Sequence, residues 1–182
     1  VLNLLATLNL PPIESMGALG ARAFVNEFNK GRPAGRPIGE IVDGTLPGAD
    51  GPLPYRVFKP ATPGPHPVVV YFHGGGWVLG DEQSDDPFCR DMVRRTGMMF
   101  VSVGYRHAPE HRFPTAAEDG YAATRWIGEH AAELGGKPGP LLGAGWSAGG
   151  NIAAVTCQLV RDRGRPEHAS TLLICPVTDC HL

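Results

Sequence analysis

Apolar positions in this sequence form either short continuous runs or longer amphipathic stretches. The β-branched runs at 67–72 and 98–103 are typical of strands buried on both faces. Further strands are predicted at 141–144 and 171–175. Apolar residues at three- and four-residue spacing predict helices at 86–96, at 115–134, and after Ser147 as far as Arg163. Strands that alternate with helices predict a mostly parallel sheet covered by helices on both faces.

The first part of the chain has a different pattern. Residues 1–36 are loosely helical, and their apolar positions at helical spacing are Ala21, Phe24, Val25 and Phe28. A Gly-Arg-Pro sequence at 31–33 ends this pattern. Strands at 38–46 and 53–58, separated by Pro, Gly and Asp residues, predict an antiparallel pair at one edge of the sheet.

Composition narrows the class of protein. The chain has 182 residues, of which 42% are hydrophobic and 19% charged, as expected for one globular domain. A formal net charge of -2 gives no reason to expect a nucleic-acid partner. No apolar run reaches the ~20 residues of a membrane span. Because the apolar N-terminus lacks a basic region and a cleavage site, no signal peptide is predicted, and a cytoplasmic location is expected.

The cysteine, acidic and histidine residues suggest no cofactor or metal. Cys89, Cys157, Cys175 and Cys180 form no C-x-x-C pair, so reduced and mostly buried thiols are expected. The acidic run at 81–86 is interpreted as a solvated loop and a helix cap rather than a metal site. The histidines also lack the spacing that is typical of metal ligands; they are His107, His111, His130 and His168.

The candidate chemistry begins at the strand predicted at 141–144. There an apolar run enters a turn of small residues, and 145–149 fits the pattern G-x-S-x-G of a nucleophile elbow. In such an elbow a serine sits on a strained strand-to-helix turn. The following helix then points its N-terminal N–H groups at the reaction centre.

A second glycine-rich segment supports this interpretation. Gly74, Gly75 and Gly76 directly follow the buried strand at 67–72, where backbone N–H groups without neighbouring side chains can bind a developing oxyanion. A glycine triplet alone more often marks a flexible turn. The elbow about seventy residues later favours the catalytic interpretation.

Four motifs in order resemble those of the hormone-sensitive-lipase (HSL, bacterial family IV) type carboxylesterases, a family of α/β-hydrolases. Residues 73–77 read H-G-G-G-W, and 105–114 resembles Y-R-L-A-P-E-x-x-F-P. Residues 145–151 resemble G-D-S-A-G-G-N, and 175–179 resembles Y-P-V-T-D. The resemblance covers the chain beyond about residue 36 and implies the α/β-hydrolase fold. Residues 1–36 would form part of an N-terminal helical cap, and 37–182 the N-terminal portion of the core.

The resemblance also implies roles for individual residues. Ser147 would be the nucleophile that forms an acyl-enzyme with a short- to medium-chain acyl ester. The N–H groups of Gly75, Gly76 and Ala148 would form the oxyanion hole. His73 would hold the glycine loop rather than act as the base, and Trp77 would lie near the wall of the acyl pocket. The motif residues that support the site would be His73, Gly74, Trp77, Gly145 and Gly149. A buried polar network is expected among Arg106, Glu110 and Asp119.

The sequence departs from the family at three positions near these motifs. Trp146 precedes the nucleophile where the family usually has Asp, His107 replaces Leu, and Gly104 replaces Asp. None of these changes removes a catalytic group. The consequences of Trp146 for local hydrogen bonding and pocket shape are left open by the sequence.

The acid and the histidine of the triad cannot be assigned in these 182 residues. In α/β-hydrolases they follow the nucleophile on later loops, and this sequence ends just after its sixth predicted strand. Asp179 and His181 are too close in sequence to be expected to act together on the serine. The chain is therefore expected to be a C-terminally truncated hydrolase, with about six of eight strands, little turnover alone and possible self-association through the exposed sheet edge.

The sequence is also compatible with two other functions. One is a catalytically inactive relative that binds a small molecule in the same pocket. The other is amidase or peptidase chemistry, because the same triad serves both kinds of leaving group.

Overall fold

The computed structural model describes residues 12–179. A short 3₁₀ turn at Ile13–Met16 precedes the first α-helix. The helices are α1 Gly17–Lys30, α2 Asp86–Thr96, α3 Thr115–Glu129 and α4 Ala148–Arg163. The strands are β1 Glu40–Gly48, β2 Gly51–Lys59, β3 Val68–Phe72, β4 Met99–Val103, β5 Leu141–Trp146 and β6 His168–Ile174.

These strands form one six-stranded sheet in the order β1-β2-β4-β3-β5-β6. Strands β4, β3, β5 and β6 run parallel to one another, and β1 and β2 form an antiparallel pair joined to β4. The mostly parallel sheet and the antiparallel edge predicted from the sequence are both confirmed.

Strand β3 lies between two apolar layers. Its alternate residues Val68, Val70 and Phe72 pack in one cluster with residues of α3 and α4. Val69 and Tyr71 point to the other face and pack with Cys89 and Val93 of α2. Side chains of a strand alternate between the two faces, so this five-residue run is buried on both sides. Helices therefore cover both faces of the sheet, as predicted.

Several element boundaries differ from the prediction by a few residues, and two of these differences are explained by long-range pairing. Helix α3 ends at Glu129 rather than 134, and the chain then turns so that the Lys137 N–H donates to the His66 carbonyl at 2.6 Å. This long-range pairing overrides the helical pattern of the local sequence. Strand β6 begins at His168, three residues early, because its first residues pair with the start of β5.

Strand β6 lies at an edge of the described sheet, in agreement with the exposed edge expected from the sequence. Within residues 12–179 its only strand neighbour is β5. Leu172 and Leu173 are 46% and 40% exposed. Association of two copies through this edge stays a prediction.

The structure also tests the expectations about membrane spans and cysteine residues. Within the described part of the chain, no helix is both long and apolar enough to cross a bilayer. Cys89, Cys157 and Cys175 are free thiols, and Cys89 alone of these is fully buried. The prediction of mostly buried thiols is therefore wrong for Cys175, which lies exposed beyond the end of β6. Cys180 lies outside the described residues.

The predicted polar network forms only in part. Arg106 binds Asp119 with two hydrogen bonds, from Nε at 2.8 Å and from Nη2 at 2.7 Å, and the Asp119 side chain is fully buried. Glu110 is exposed and instead pairs with Arg22. Its predicted place in the buried network is therefore wrong. The network with Asp119 attaches the loop after β4 to α3.

Candidate active site

Ser147 occupies the sharp turn between β5 and α4. Its φ of 54° lies in the left-handed region, which is strained for a residue with a side chain. The turn is held by main-chain bonds, because the Ser147 N–H donates to Ile174 at 2.9 Å and its carbonyl accepts from Asn151 and Val177. The sequence pattern of an elbow at 145–149 therefore corresponds to the strand-turn-helix geometry that such a motif requires.

Close backbone contact requires a glycine at 149. A methyl group there would overlap the carbonyl oxygens of Phe72 and His73, at the end of β3. A methyl group on Gly145 would likewise overlap the carbonyl of Gly149. The elbow can therefore lie directly against the strand that leads into the glycine loop.

The glycine loop turns tightly beside Ser147. The carbonyl of Gly75 accepts hydrogen bonds from the N–H groups of Val78 at 3.1 Å and Leu79 at 2.9 Å. A Cβ on Gly74 would lie 3.7 Å from Cβ of Ser147, so the two segments are in direct contact. Within residues 12–179, the N–H groups of Gly75, Gly76 and Ala148 have no hydrogen-bond partner. Three unused donors thus lie on the two segments that meet at the serine.

His73 lies beneath this loop and is fully buried. Its Nδ1 is 2.8 Å from the Gly74 carbonyl, and its ring stacks on Tyr105 with 4.4 Å between centroids. The Tyr105 hydroxyl donates to the His73 carbonyl at 2.9 Å. Burial lowers the pKa of His73, so the ring is neutral at pH 7. These contacts fit the predicted supporting role.

Arg22 of α1 connects the N-terminal helix to the same loop, which the sequence gave no reason to expect. Its guanidinium donates to the carbonyls of Val78 at 2.8 Å and Ala108 at 2.7 Å. It also makes two hydrogen bonds to Glu110, at 2.9 Å and 2.7 Å. This ion pair lowers the pKa of Glu110 to about 2. Helix α1, the glycine loop and the loop after β4 are thus joined by one side chain.

Two cavities flank the glycine loop. One, of about 320 Å³, contains Ser147 and combines two aromatic residues with polar ones. Its lining consists of Ser147, Gly74, Gly75, Phe88, Trp146, Pro87, Arg32, Ser84 and Asp85. The other, of about 460 Å³, is mainly apolar and includes Gly76, Trp77 and Ile152 in its lining. Trp77, predicted near the wall of the acyl pocket, lines this second cavity.

The acidic run before α2 has structural partners. Asp85 stands at the position before the helix but does not cap it, which corrects the sequence interpretation; its carboxylate accepts from the Tyr71 hydroxyl at 2.7 Å. Asp86 pairs with Arg56 and Arg90. Among residues 12–179 no cluster of three metal-ligating side chains occurs.

No general base for Ser147 is found in the described region. The histidines from 66 to 168 make no hydrogen bond to its hydroxyl, and those with side-chain bonds use local partners. His181, which the sequence analysis did not expect to act on the serine together with Asp179, lies outside the described residues.

Asn151 is a further residue of the site to which sequence reasoning assigned no role. Its Nδ2 donates to the Val177 carbonyl at 2.9 Å, in the segment that resembles Y-P-V-T-D. The G-G-N and P-V-T sequences occur together in the motifs of one family, and this was the signal from which a contact between Asn151 and the segment of Val177 could have been predicted. The contact fixes the chain after β6 against the elbow.

His107 is expected to destabilise the fold at acid pH. Burial lowers its pKa to about 4, and its Nε2 is buried with no partner among the described residues. From about pH 6.5 down to about 4, the unfolded chain therefore binds one more proton than the folded one, and stability falls. Allowing for partial exposure, the loss is on the order of 2 kcal/mol.

The variant His107→Leu carries the usual family residue and should remove this loss. Urea unfolding at about pH 7.5 and about pH 4.5 measures it in both proteins. All other titratable groups are the same in both proteins, so the difference between their two pH effects reports on His107. An unchanged difference between the two pH values in the variant would contradict the assignment.

Known proteins are similar to this chain in sequence and in fold. The sequence profile described as alpha/beta hydrolase fold matches residues 69–182. Carboxylesterase NlhH of Mycobacterium tuberculosis is 50% identical over 127 residues, which cover 69% of this chain and 40% of that protein. Carboxylic ester hydrolase LipN of the same organism is 40% identical over 166 residues, covering 88% and 44%.

Similarity to a solved structure points to the same fold. A thermostable esterase from Pseudomonas putida superposes with a TM-score of 0.89 and 35% identity, covering 99% of this chain and 57% of its own. The present chain spans less than half the length of the curated relatives NlhH and LipN.

Proposed function

Because this chain belongs to the hormone-sensitive-lipase-type esterases of the α/β-hydrolase fold family, we propose that it carries the nucleophile half of a serine carboxylesterase site. The observation that supports this proposal most directly is the position of Ser147. Its positive-φ turn lies against a glycine loop, and three N–H groups without partners among the described residues belong to these two segments. Such donors are what a developing oxyanion requires.

In the proposed reaction, Oγ of Ser147 attacks the ester carbonyl and its proton passes to a base. The carbonyl oxygen becomes an oxyanion that accepts hydrogen bonds from Gly75, Gly76 and Ala148. Collapse of this intermediate breaks the bond to the alkoxy group, which leaves as the alcohol after taking a proton. Water then attacks the acyl-enzyme and regenerates Ser147 with release of the carboxylic acid.

The base and its orienting acid are proposed to come from outside residues 12–179. A serine hydroxyl is a weak nucleophile without such a base. The 182-residue chain alone is therefore expected to show little turnover, and the full-length natural polypeptide that contains this sequence is expected to be active.

A short- to medium-chain acyl ester is the proposed substrate. The cavity of about 460 Å³ beside Gly76 is lined mainly by apolar groups, among them Trp77 and Ile152. Apolar lining favours an alkyl chain through the hydrophobic effect. Esters are also the substrates named for the relatives LipN and NlhH.

Fluorophosphonate labelling and hydrolysis of p-nitrophenyl butyrate test the proposal together. The full-length natural polypeptide should hydrolyse the ester and acquire the label on Ser147, as located by peptide mass spectrometry. Residues 1–182 alone should be much slower in both assays. Absence of both reactions in the full-length polypeptide would contradict the proposal and favour a relative that only binds a small molecule. Robust hydrolysis by residues 1–182 would contradict the assignment of the base.

A further inference from the structure

The cavity that contains Ser147 has an aromatic side with no described function. Phe88 of α2 and Trp146 at the end of β5 line it together with Gly74 and Gly75. Because Gly76 and Trp77 line the other cavity, the glycine loop separates an apolar space from one with two aromatic rings. A substrate bound at Ser147 can therefore place different groups on the two sides of its carbonyl.

Neighbouring groups fix the position of Trp146. Its ring meets Phe88 edge to face, with 5.8 Å between centroids and 87° between planes. Its Cδ1 also lies against the backbone of Gly74, 3.6 Å from where a Cβ would stand. Aromatic pairs prefer this perpendicular arrangement. The indole is thus held in place before any ligand binds.

Much of this indole is nevertheless exposed. The residue is 42% accessible, although most other large apolar side chains of the sheet are buried. The family usually has a small carboxylate at this position, which offers no apolar surface. A wide, pre-positioned aromatic surface one residue before the nucleophile is therefore a feature of this chain.

We propose that this cavity is a subsite for an aromatic ring of the ester, and that Trp146 determines the preference for it. The inference rests on the proposed ester hydrolysis at Ser147. A phenyl ring that enters the cavity can contact both Trp146 and Phe88, whereas a saturated ring of similar size gains burial but no aromatic interaction. The substrate class is thus an ester with an aryl group on one side of its carbonyl.

The test compares matched esters in the full-length natural polypeptide. Benzyl butyrate is paired with cyclohexylmethyl butyrate, and ethyl phenylacetate with ethyl cyclohexylacetate. In one of the two pairs, kcat/KM should favour the aromatic member about three- to tenfold. The pair that responds identifies whether the alcohol or the acyl group enters the cavity. No preference in either pair would overturn the proposal.

Variants then assign the preference to Trp146. In Trp146→Leu the ratio within the responding pair should approach one, while Trp146→Phe should keep most of it. Trp126→Leu is the matched control and should leave the ratio unchanged, because Trp126 packs on Tyr55 and His130, outside the lining of the Ser147 cavity. If Trp146→Leu does not fold, Phe88→Leu tests the same surface. A ratio that persists in the folded variant would overturn the assignment.

A binding measurement separates this inference from the proposed function. In a Ser147→Ala background, titration calorimetry should give tighter binding of the aromatic ester than of its saturated partner, and adding Trp146→Leu should abolish the difference. Equal binding of both esters would overturn the subsite even where hydrolysis is intact. Absence of labelling and hydrolysis in the wild type, by contrast, would contradict only the proposed reaction.

Discussion

Replacing Ser147 with alanine is expected to lower kcat for p-nitrophenyl butyrate by about 10⁵- to 10⁶-fold in the full-length natural polypeptide. In the proposed mechanism, Oγ of Ser147 forms the bond to the acyl group, and no described neighbour can replace it. Residual hydrolysis would come from oxyanion stabilisation and binding alone. The measurement is the steady-state rate together with loss of the fluorophosphonate adduct.

Stability should change little in this variant. No hydrogen bond joins the Ser147 hydroxyl to another described side chain, and alanine and serine meet the same restriction at a φ of 54°. Thermal unfolding should therefore be close to that of the wild type. Ser170→Ala, at an exposed position of β6, is the matched control and should keep full activity. A Ser147→Ala protein that retains more than about a hundredth of the rate would refute the acyl-enzyme proposal.

The second large effect is expected from Gly75→Ala. Gly75 has a φ of 129°, which residues with side chains rarely adopt, and a methyl group there would overlap the Leu79 carbonyl. The turn must therefore open, and its N–H groups must move away from the oxyanion. Because one lost donor lowers kcat about 10²- to 10³-fold, we expect a loss of at least about 10³-fold.

Gly76→Ala is the matched comparison in the same loop. Its φ is 61° and a methyl group would meet nothing within 4 Å. The left-handed conformation costs alanine roughly 1–2 kcal/mol, so we expect a moderate loss of stability and at most about a tenfold change in kcat. The comparison separates displacement of the turn from the mere addition of a methyl group.

Affinity for a trifluoromethyl ketone, which forms an oxyanion adduct with serine, gives a second measurement. In Gly75→Ala this affinity should fall in parallel with kcat/KM, because both depend on the same donors. Thermal unfolding shows whether the protein remains folded. Equal losses in Gly75→Ala and Gly76→Ala would refute the close-packing argument.

Hydrophobic patterning was sufficient to predict the layered core. The apolar side chains of the run at 68–72 can all be buried only if both faces of the strand are covered. The composition of this run therefore indicated a buried parallel strand with helices on both sides. The elbow and the glycine loop could also be predicted, since their geometry requires residues without bulk at positions such as Gly149. These features follow from local chemistry.

The partners of polar side chains could not be predicted in the same way. Glu110 and Asp119 are both acidic residues near Arg106, but the fold gives only Asp119 to it and brings Glu110 to Arg22, 88 residues away in the sequence. Asp85 has a capping residue's position but bonds Tyr71. Ion pairs and hydrogen bonds depend on distances of a few ångströms, which local pattern does not specify.

The sequence by itself determined the class of fold, the position of the sharp strand-to-helix turn at Ser147 and the glycine loop that lies against it, because burial and backbone clearance restrict residue types at those positions. Only the tertiary structure decided what Trp146 contacts. Its ring reaches Phe88, which belongs to a helix on a separate segment of the chain, and this contact leaves the indole facing the cavity of Ser147. Contacts between distant segments depend on how the helices pack against the sheet, which the local sequence pattern does not encode.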